Sequence, residues 1–350
     1  MSKNISLVSL VFLIVGWISL GQSPSLLTLV LCLLAMISVL FLLYYPSIWT
    51  EEAFASISYK LKISSLIAGG VFLAASSSTP EFFTSFSGVV LHKVFAVGIG
   101  TVLWSALFNL CVIIGVCSLY KSPLTVNPRI YKRDMPFYGI AILALILLSL
   151  DKTFTRIDFL ILVSIYVIYI IFLSFDKSEP YKDETHDSWS LILGKMFAGI
   201  ILIGVLSHLL VTLGLRMIVL SESLFDYIFP VTLLAALIFA PGTSISDLLM
   251  SISATKRGED SVAIVNGVAS NTFDLTICLG VPGLAYTMVT NESVSFNIVE
   301  SGPILGALLI GYIVAFVFIY TQKKIFKWEG WILLIYFLIA LLMQIGIVIF

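Results

Sequence analysis

AASSSTPEFFTSFSG at residues 74–88 and APGTSISDLLMSISA at residues 240–254 decide how this chain is read. Each is a run of small and hydroxyl-bearing residues that carries one acid, Glu81 or Asp247, inside an otherwise apolar span. A carboxylate at the centre of a membrane span costs roughly 2.5–3.5 kcal/mol on the insertion scale, so it marks a functional position by default. The chain bears that cost in two segments that look like copies of each other.

The apolar setting is clear from composition. Of 350 residues, 59% are hydrophobic and 11% charged, and the mean hydropathy is +1.10, far outside the range of soluble domains. The predicted fold class is an all-α polytopic membrane protein. Spans are expected at about 5–21, 25–48, 62–90, 94–120, 135–150, 156–175, 190–220, 224–254, 260–288, 300–322 and 328–350. The first, with Lys3 ahead of an apolar run and Ser19 and Gly21 at small-residue cleavage positions, reads either as a signal peptide or as an extra helix. Residues 176–189 form a short charged linker, too short for a soluble domain. The expected organisation is therefore an N-terminal segment over 1–24 and two halves over 25–175 and 190–350.

Charge placement orients the spans. With the loop after 25–48 cytoplasmic, thirteen lysines and arginines fall inside and four, Lys93, Lys152, Arg156 and Arg216, outside. The linker is then cytoplasmic, and the triplet Asn291-Glu292-Ser293 faces out as a possible glycosylation acceptor. Cys32, Cys111, Cys117 and Cys278 lie in apolar stretches without disulfide or zinc spacing, so packing is their expected role. Three scattered histidines give little material for a metal centre or proton relay.

The likeness of the two segments extends beyond the acids. Setting Glu81 against Asp247 aligns Ala74 with Ala240, Ser77 with Thr243 and Ser78 with Ser244. The following spans pair Ser105 with Ser270 and Asn109 with Asp274. Five spans separate the copies, and an odd number sends the second through the membrane in the opposite sense, which makes an inverted repeat. Pro80, Pro241, Gly242 and the hydroxyl cluster are poor helix material, so each helix is expected to break just before its acid and free backbone carbonyls. Ser105 and Asn109, like Ser270 and Asp274, are four residues apart and share a helix face. Carboxylates, hydroxyls and carbonyls are the oxygen donors that hard cations take. None of the central helix positions carries a lysine or arginine to neutralise Glu81, Asp247 or Asp274, so a mobile cation is the expected partner.

With these residues in view, the strings AASSSTPEFFTSFSGVV, VGIGTVLWSALFNLCVIIGVCSLY and PGTSISDLLMSISATKRGEDSVAIVNGVASNTFDLTICLGVPGL, led in by TEEAFASISYKLKISSLIAGG, resemble the two alpha-repeats of the calcium/cation antiporter superfamily. They are most similar to the potassium-dependent sodium/calcium exchangers. The resemblance implies an inverted-repeat exchanger fold of ten core helices, starting with 25–48, plus the N-terminal segment. Its alpha-1 repeat covers about 65–120 and its alpha-2 repeat about 235–287. It implies a cation site built on Glu81 and Asp247, with the hydroxyls of Ser77, Ser78, Thr243 and Ser244 and the carbonyls of Ala74 and Ala240. Ser105, Asn109, Ser270 and Asp274 complete it. Asp274, in the string SNTFD, is the position tied to potassium, with Asn271 assisting. Two departures stand out. Trp104 occupies a position usually held by glycine and is expected to alter packing or narrow a passage near Ser105. Ser246 replaces a proline and is expected to soften the second break.

The resemblance implies sodium/calcium antiport with potassium accompanying calcium, and no cofactor beyond the transported ions. A potassium-independent sodium/calcium exchanger or a proton/calcium exchanger would use the same acids. An enzyme is not expected: a membrane aspartyl protease on Asp247 and Asp274 lacks the GxGD string. The expected surroundings are the lipid bilayer of the plasma membrane and calcium, sodium and potassium ions. No nucleic acid is expected, and the chain is read as monomer or homodimer.

Overall fold

The computed structural model describes residues 11, 13–14, 17, 20–21, 23–175, 179–181, 185–258 and 260–349. The expected N-terminal hydrophobic segment lies largely outside them. Among the described residues the chain forms ten helical stretches: α1 (Leu26–Lys60), α2 (65–91), α3 (Phe95–Tyr120), α4 (130–148), α5 (Arg156–Phe175), α6 (Trp189–Phe225), α7 (231–257), α8 (260–290), α9 (Ile298–Gln322) and α10 (Lys327–Ile349). Seven helices are long and apolar enough to cross a membrane, and α7, bent by 44° at Ser244, counts as an eighth. Together with the apolar residues that α5, α6 and α10 turn outward, such as Ile168, Phe172, Ile201, Leu338 and Leu342, this is an integral membrane protein.

The breaks fall where the hydroxyl-rich stretches predict them. Ser78 (φ −85°, ψ 7°) and Ser244 (φ −89°, ψ 1°) leave helical geometry and divide α2 and α7. Glu81 and Asp247 consequently lie in the first turn of the second half-helix, where the helix dipole favours a negative charge. Ahead of each break the backbone widens into i→i+5 turns, Ala68–Leu73 and Ala235–Phe239. A second matched pair of wide turns begins at Asn109 in α3 and at Asp274 in α8, the two positions that the repeat aligns. Wide turns of this kind accumulate at functional sites because they re-aim side chains.

Long outer helices clamp the breaks. α1 and α6 lie along each other, with Gly199 of α6 so close that a Cβ there would collide with Thr50 Oγ1 and Pro46 O of α1. Leu40 of α1 occupies the space beside Gly242 at the α7 break, and Ser207 Oγ of α6 donates to Pro80 O at the α2 break (3.4 Å). Two miniature antiparallel ladders tie the halves together at their loops. β1 (Leu124–Thr125) pairs with β4 (Lys324–Ile325), and β2 (Thr153–Phe154) pairs with β3 (Val294–Ser295). The linker docks by its backbone on the α1–α2 loop through Ser65 N to Glu179 O and Tyr181 N to Ile63 O, both 2.9 Å.

Helix boundaries move. α1 runs on past the expected 48 to Lys60. The span expected to end near 220 continues to Phe225, where Asp226 adopts a left-handed conformation (φ 52°), and α7 starts only after Pro230. Of the polar residues 221–223, Ser221 is buried, with Oγ donating to Ile218 O (2.8 Å) and accepting from Phe229 N (3.3 Å), and Glu222 and Ser223 are exposed.

Just past the end of α2, His92 stacks on His208 of α6 with ring centroids 5.2 Å apart. Thr212 Oγ1 gives its proton to His208 O (2.8 Å), so it accepts from His92 Nε2 at 3.1 Å. Burial, and then the charge of His208, hold His92 below the usual histidine range. Unfolded chains thus bind this proton more readily than folded ones. The stability His92 contributes is present above about pH 6.5 and is lost as the pH falls through its folded value. The thermal melting temperature of the protein in detergent should therefore drop between about pH 7 and pH 5, and His92→Gln should flatten that drop. An unchanged pH profile in the variant would contradict this contact's role.

Candidate cation site

The two broken helices bring their hydroxyls and acids against α3 and α8 in the middle of the bundle. Ala74, Ser77, Ser78 and Glu81 come from α2, and Ala240, Thr243, Ser244 and Asp247 from α7. Ser105 and Asn109 come from α3, and Ser270, Asn271 and Asp274 from α8. Every one of these thirteen residues is at most 4% exposed. The polar faces thus point inward, as the four-residue spacings require.

Glu81 is the junction. Its Oε1 accepts from Ser105 Oγ at 3.2 Å and from Ser244 Oγ at 3.1 Å, and these two hydroxyls are themselves 2.8 Å apart. Three oxygen–oxygen contacts share two hydroxyl protons, so one contact has no proton in it. Asp274 is a neighbour of Glu81, faced by the side chains of Ser78 and Ser105, and its Oδ1 accepts from Cys278 Sγ at 3.5 Å. Four oxygens in this cluster lack a hydrogen bond to protein: Ser78 Oγ, Glu81 Oε2, Asp274 Oδ2 and Asn109 Oδ1. An isolated buried polar atom costs several kcal/mol in a low-dielectric setting, on the order of 1–3 for a neutral group and more for a charged one. The arrangement is short of positive charge and rich in acceptors.

Several expectations change in detail. The breaks do not free the carbonyls of Ala74 and Ala240. Ala74 O accepts from Ser78 N (3.1 Å) and Ser77 Oγ (3.3 Å), and Ala240 O accepts from Ser244 N (3.0 Å) and Thr243 Oγ1 (3.2 Å). The hydroxyls fold back on the turn they interrupt, identically in both copies. Nor do the acids make one compact cage. Among the described residues no three Asp, Glu, His or Cys side chains converge at metal-ligand range. Asn271 spends both amide protons inside the protein, on Ala106 O (2.8 Å) and Tyr138 OH (3.1 Å), while its Oδ1 accepts from Asn109 Nδ2 (3.1 Å). Trp104 is 1% exposed, and its indole meets Phe337 of α10 edge to face at 6.0 Å, which absorbs its bulk on the α10 side.

Sequence reasoning missed two participants. Cys278 stands four residues after Asp274, and its thiol lies 3.6 Å from Ser78 O as well, so it stitches α8 to the α2 break. The spacing of four residues from an acid was the available signal. Tyr138 lies on α4, outside both repeats, and an aromatic residue in an apolar helix gives no warning that it reaches a polar network.

Comparison with known proteins places this geometry. A family described as sodium/calcium exchanger protein matches residues 27–175 and 191–346. Sodium/potassium/calcium exchanger 3 of Rattus norvegicus is 34% identical over 148 residues, 41% of this chain and 24% of that protein. Sodium/potassium/calcium exchanger 2 of Homo sapiens is 36% identical over 152 residues, again 41% of this chain and 22% of that protein. The matched regions thus span about a quarter of those relatives. An uncharacterized membrane protein of Methanocaldococcus jannaschii is 26% identical over 305 residues, covering 86% of this chain and 94% of its own. Among solved structures, the sodium-calcium exchanger NCX_Mj superposes with a TM-score of 0.61 at 21% identity over 96% of this chain and 98% of that one. The H+/Ca2+ exchanger CAX superposes with a TM-score of 0.66 at 14% identity over 98% and 92%. Both likenesses establish the exchanger fold. Since the family match takes in both halves of the chain and the broken helices of each, this protein belongs to the sodium/calcium exchanger family, a family of transporters.

Proposed function

We propose that this chain is a sodium/calcium antiporter that binds its ions in turn at the buried oxygens around Glu81, with potassium accompanying calcium. The observation that carries the reading is the set of unpartnered acceptors, Glu81 Oε2, Asp274 Oδ2 and Asn109 Oδ1, on helices with no lysine or arginine at their centres. Calcium and sodium are hard cations satisfied by such mixed carboxylate, hydroxyl and amide oxygens. The proposed ligand set draws on Ser77, Ser78, Glu81, Ser105, Asn109, Thr243, Ser244, Asp247, Ser270 and Asp274.

Charge balance gives the mechanism. One calcium and one potassium neutralise the carboxylates of Glu81, Asp247 and Asp274, and so do several sodium ions; an empty site leaves repelling charges in low dielectric. Loaded states cross and empty states do not, which makes exchange obligatory. The paired helices α1 and α6 touch both breaks, through Leu40 at Gly242 and Ser207 at Pro80. Their rocking against the rest of the bundle would expose the site to each side alternately. The positive-inside bias supports a cytoplasmic linker, and the plasma membrane is the proposed location.

In sodium-loaded proteoliposomes, Glu81→Gln and Asp247→Asn should each reduce calcium uptake at least a hundredfold, since each leaves a buried charge imbalance worth several kcal/mol, on the order of 3. Full activity in either variant would remove that residue from the site. Asp274→Asn should retain calcium uptake driven by sodium but lose its dependence on potassium, and a variant with unaltered potassium dependence would overturn the potassium assignment alone. The missing proton among Glu81, Ser105 and Ser244 also suits a proton/calcium exchanger. Imposing a pH gradient without a sodium gradient separates the two: calcium uptake driven by the pH gradient alone would replace sodium by protons.

A further inference from the structure

An asparagine amide offers an acceptor on one side and two donors on the other, so a half-rotation of Asn109 would turn a cation ligand into a repelling N–H. Its orientation is set by a chain of hydrogen bonds behind the site. Asn109 Nδ2 donates to Asn271 Oδ1 (3.1 Å), which leaves Asn109 Oδ1 unpartnered and buried. Asn271 holds its own oxygen toward Asn109 because its two amide protons are directed elsewhere. One goes to Ala106 O, a carbonyl that can only accept, and the other to Tyr138 OH. Tyr138 is 0% exposed, and its ring lies edge to face on Tyr312 of α9 at 5.4 Å. Tyr312 OH in turn donates to Met135 O (3.0 Å), one turn before Tyr138 on α4. Tyr138 OH thus accepts at the end of a hydrogen-bond chain that starts at Asn109 Nδ2, and Asn109 Oδ1 stays free on the other side of that amide.

We propose that Tyr138 is a positioning residue for cation binding: by taking the second amide proton of Asn271 it keeps Asn109 with its carbonyl oxygen toward the Glu81–Asp274 cluster. Without the phenol oxygen, that Asn271 proton has no partner in a dry interior, and reorientation of the amide pair competes with the ligating geometry. The residue acts through Asn271 and Asn109 and touches no ion. The inference rests on the exchanger reading for its cargo.

The test compares wild type, Tyr138→Phe, Asn109→Ala and the double variant, all as full chains, by equilibrium binding of calcium-45 to purified protein and by sodium-driven uptake in proteoliposomes. Tyr138→Phe should weaken calcium binding, and raise the half-saturating calcium concentration, about three- to tenfold, with the maximal rate retained. Added to Asn109→Ala it should produce no further weakening, because the relay then has nothing to orient. Tyr336→Phe, which removes a phenol bonded to Ala307 O outside the relay, serves as the structural control and should bind like wild type. Unchanged binding in Tyr138→Phe, an equal loss in the Asn109→Ala background, or an equal loss in Tyr336→Phe would each overturn the proposal. A wild-type chain that binds calcium without exchanging it for sodium sinks the exchanger reading and leaves the binding comparison to decide the role of Tyr138. One that binds no calcium overturns both.

Discussion

The structure turns on carboxylate oxygens kept at membrane depth without a protein partner. Glu81 Oε2 and Asp274 Oδ2 have none, and Glu81 Oε1 shares two hydroxyl protons among three contacts. In hydrocarbon such atoms are costly unless a cation or a proton meets them. Much of the surrounding architecture serves to hold them in that condition. The breaks at Ser78 and Ser244 set Glu81 and Asp247 on half-helix N-termini, which favour the negative charge without cancelling it. Wide turns at Asn109 and Asp274 swing the third and fourth positions of the repeat to the same region.

A site of this kind must also be able to change its access, and the helices that contact it are arranged in two sets. α3 and α8 are buried and carry ligand candidates. α1 and α6 are long, turn apolar residues outward, and cross the breaks at the small or non-donating residues Gly242 and Pro80. At the breaks themselves the contacts are Leu40 beside Gly242 and the Ser207 hydroxyl on Pro80 O; further along α2, Phe83 packs against Gly204 and Ser87 Oγ meets His208 Nδ1 at 3.0 Å. α4 and α9 form a third element that fixes orientation from behind, through Tyr138 and Tyr312. On the proposed mechanism, precision comes from this rear wall and movement from the outer pair.

Much of this was legible in the sequence because charge in an apolar span is a strong signal. Glu81, Asp247 and Asp274 announced themselves, and the duplicated hydroxyls located both breaks, which fall three residues ahead of Glu81 and Asp247. Span positions follow from hydropathy within a few residues, except where α1 runs on past the expected 48 to Lys60 and where the polar end of α6 continues as helix to Phe225. What escaped depends on contacts between distant positions. Ser105 meets Ser244 across 139 residues, Cys278 reaches Ser78 across 200, and Asn271 meets Tyr138 across 133. No local pattern encodes which face of an apolar helix an aromatic residue presents, so the edge-to-face contact of Trp104 with Phe337 was not legible. The bonding of the Ala74 and Ala240 carbonyls was likewise invisible, because serine and threonine can either expose a broken turn or close over it.

The central claim is that the unpartnered oxygens receive the cargo ion, and a crystal structure of the protein grown in calcium tests it most directly. The account predicts an anomalous scattering peak for calcium about 2.3–2.6 Å from Glu81 Oε2, with an oxygen of Asp247 or Asp274 in the same coordination shell. A structure in saturating calcium in which Glu81 is bonded only by protein groups and water, with no cation at its free oxygen, would contradict it.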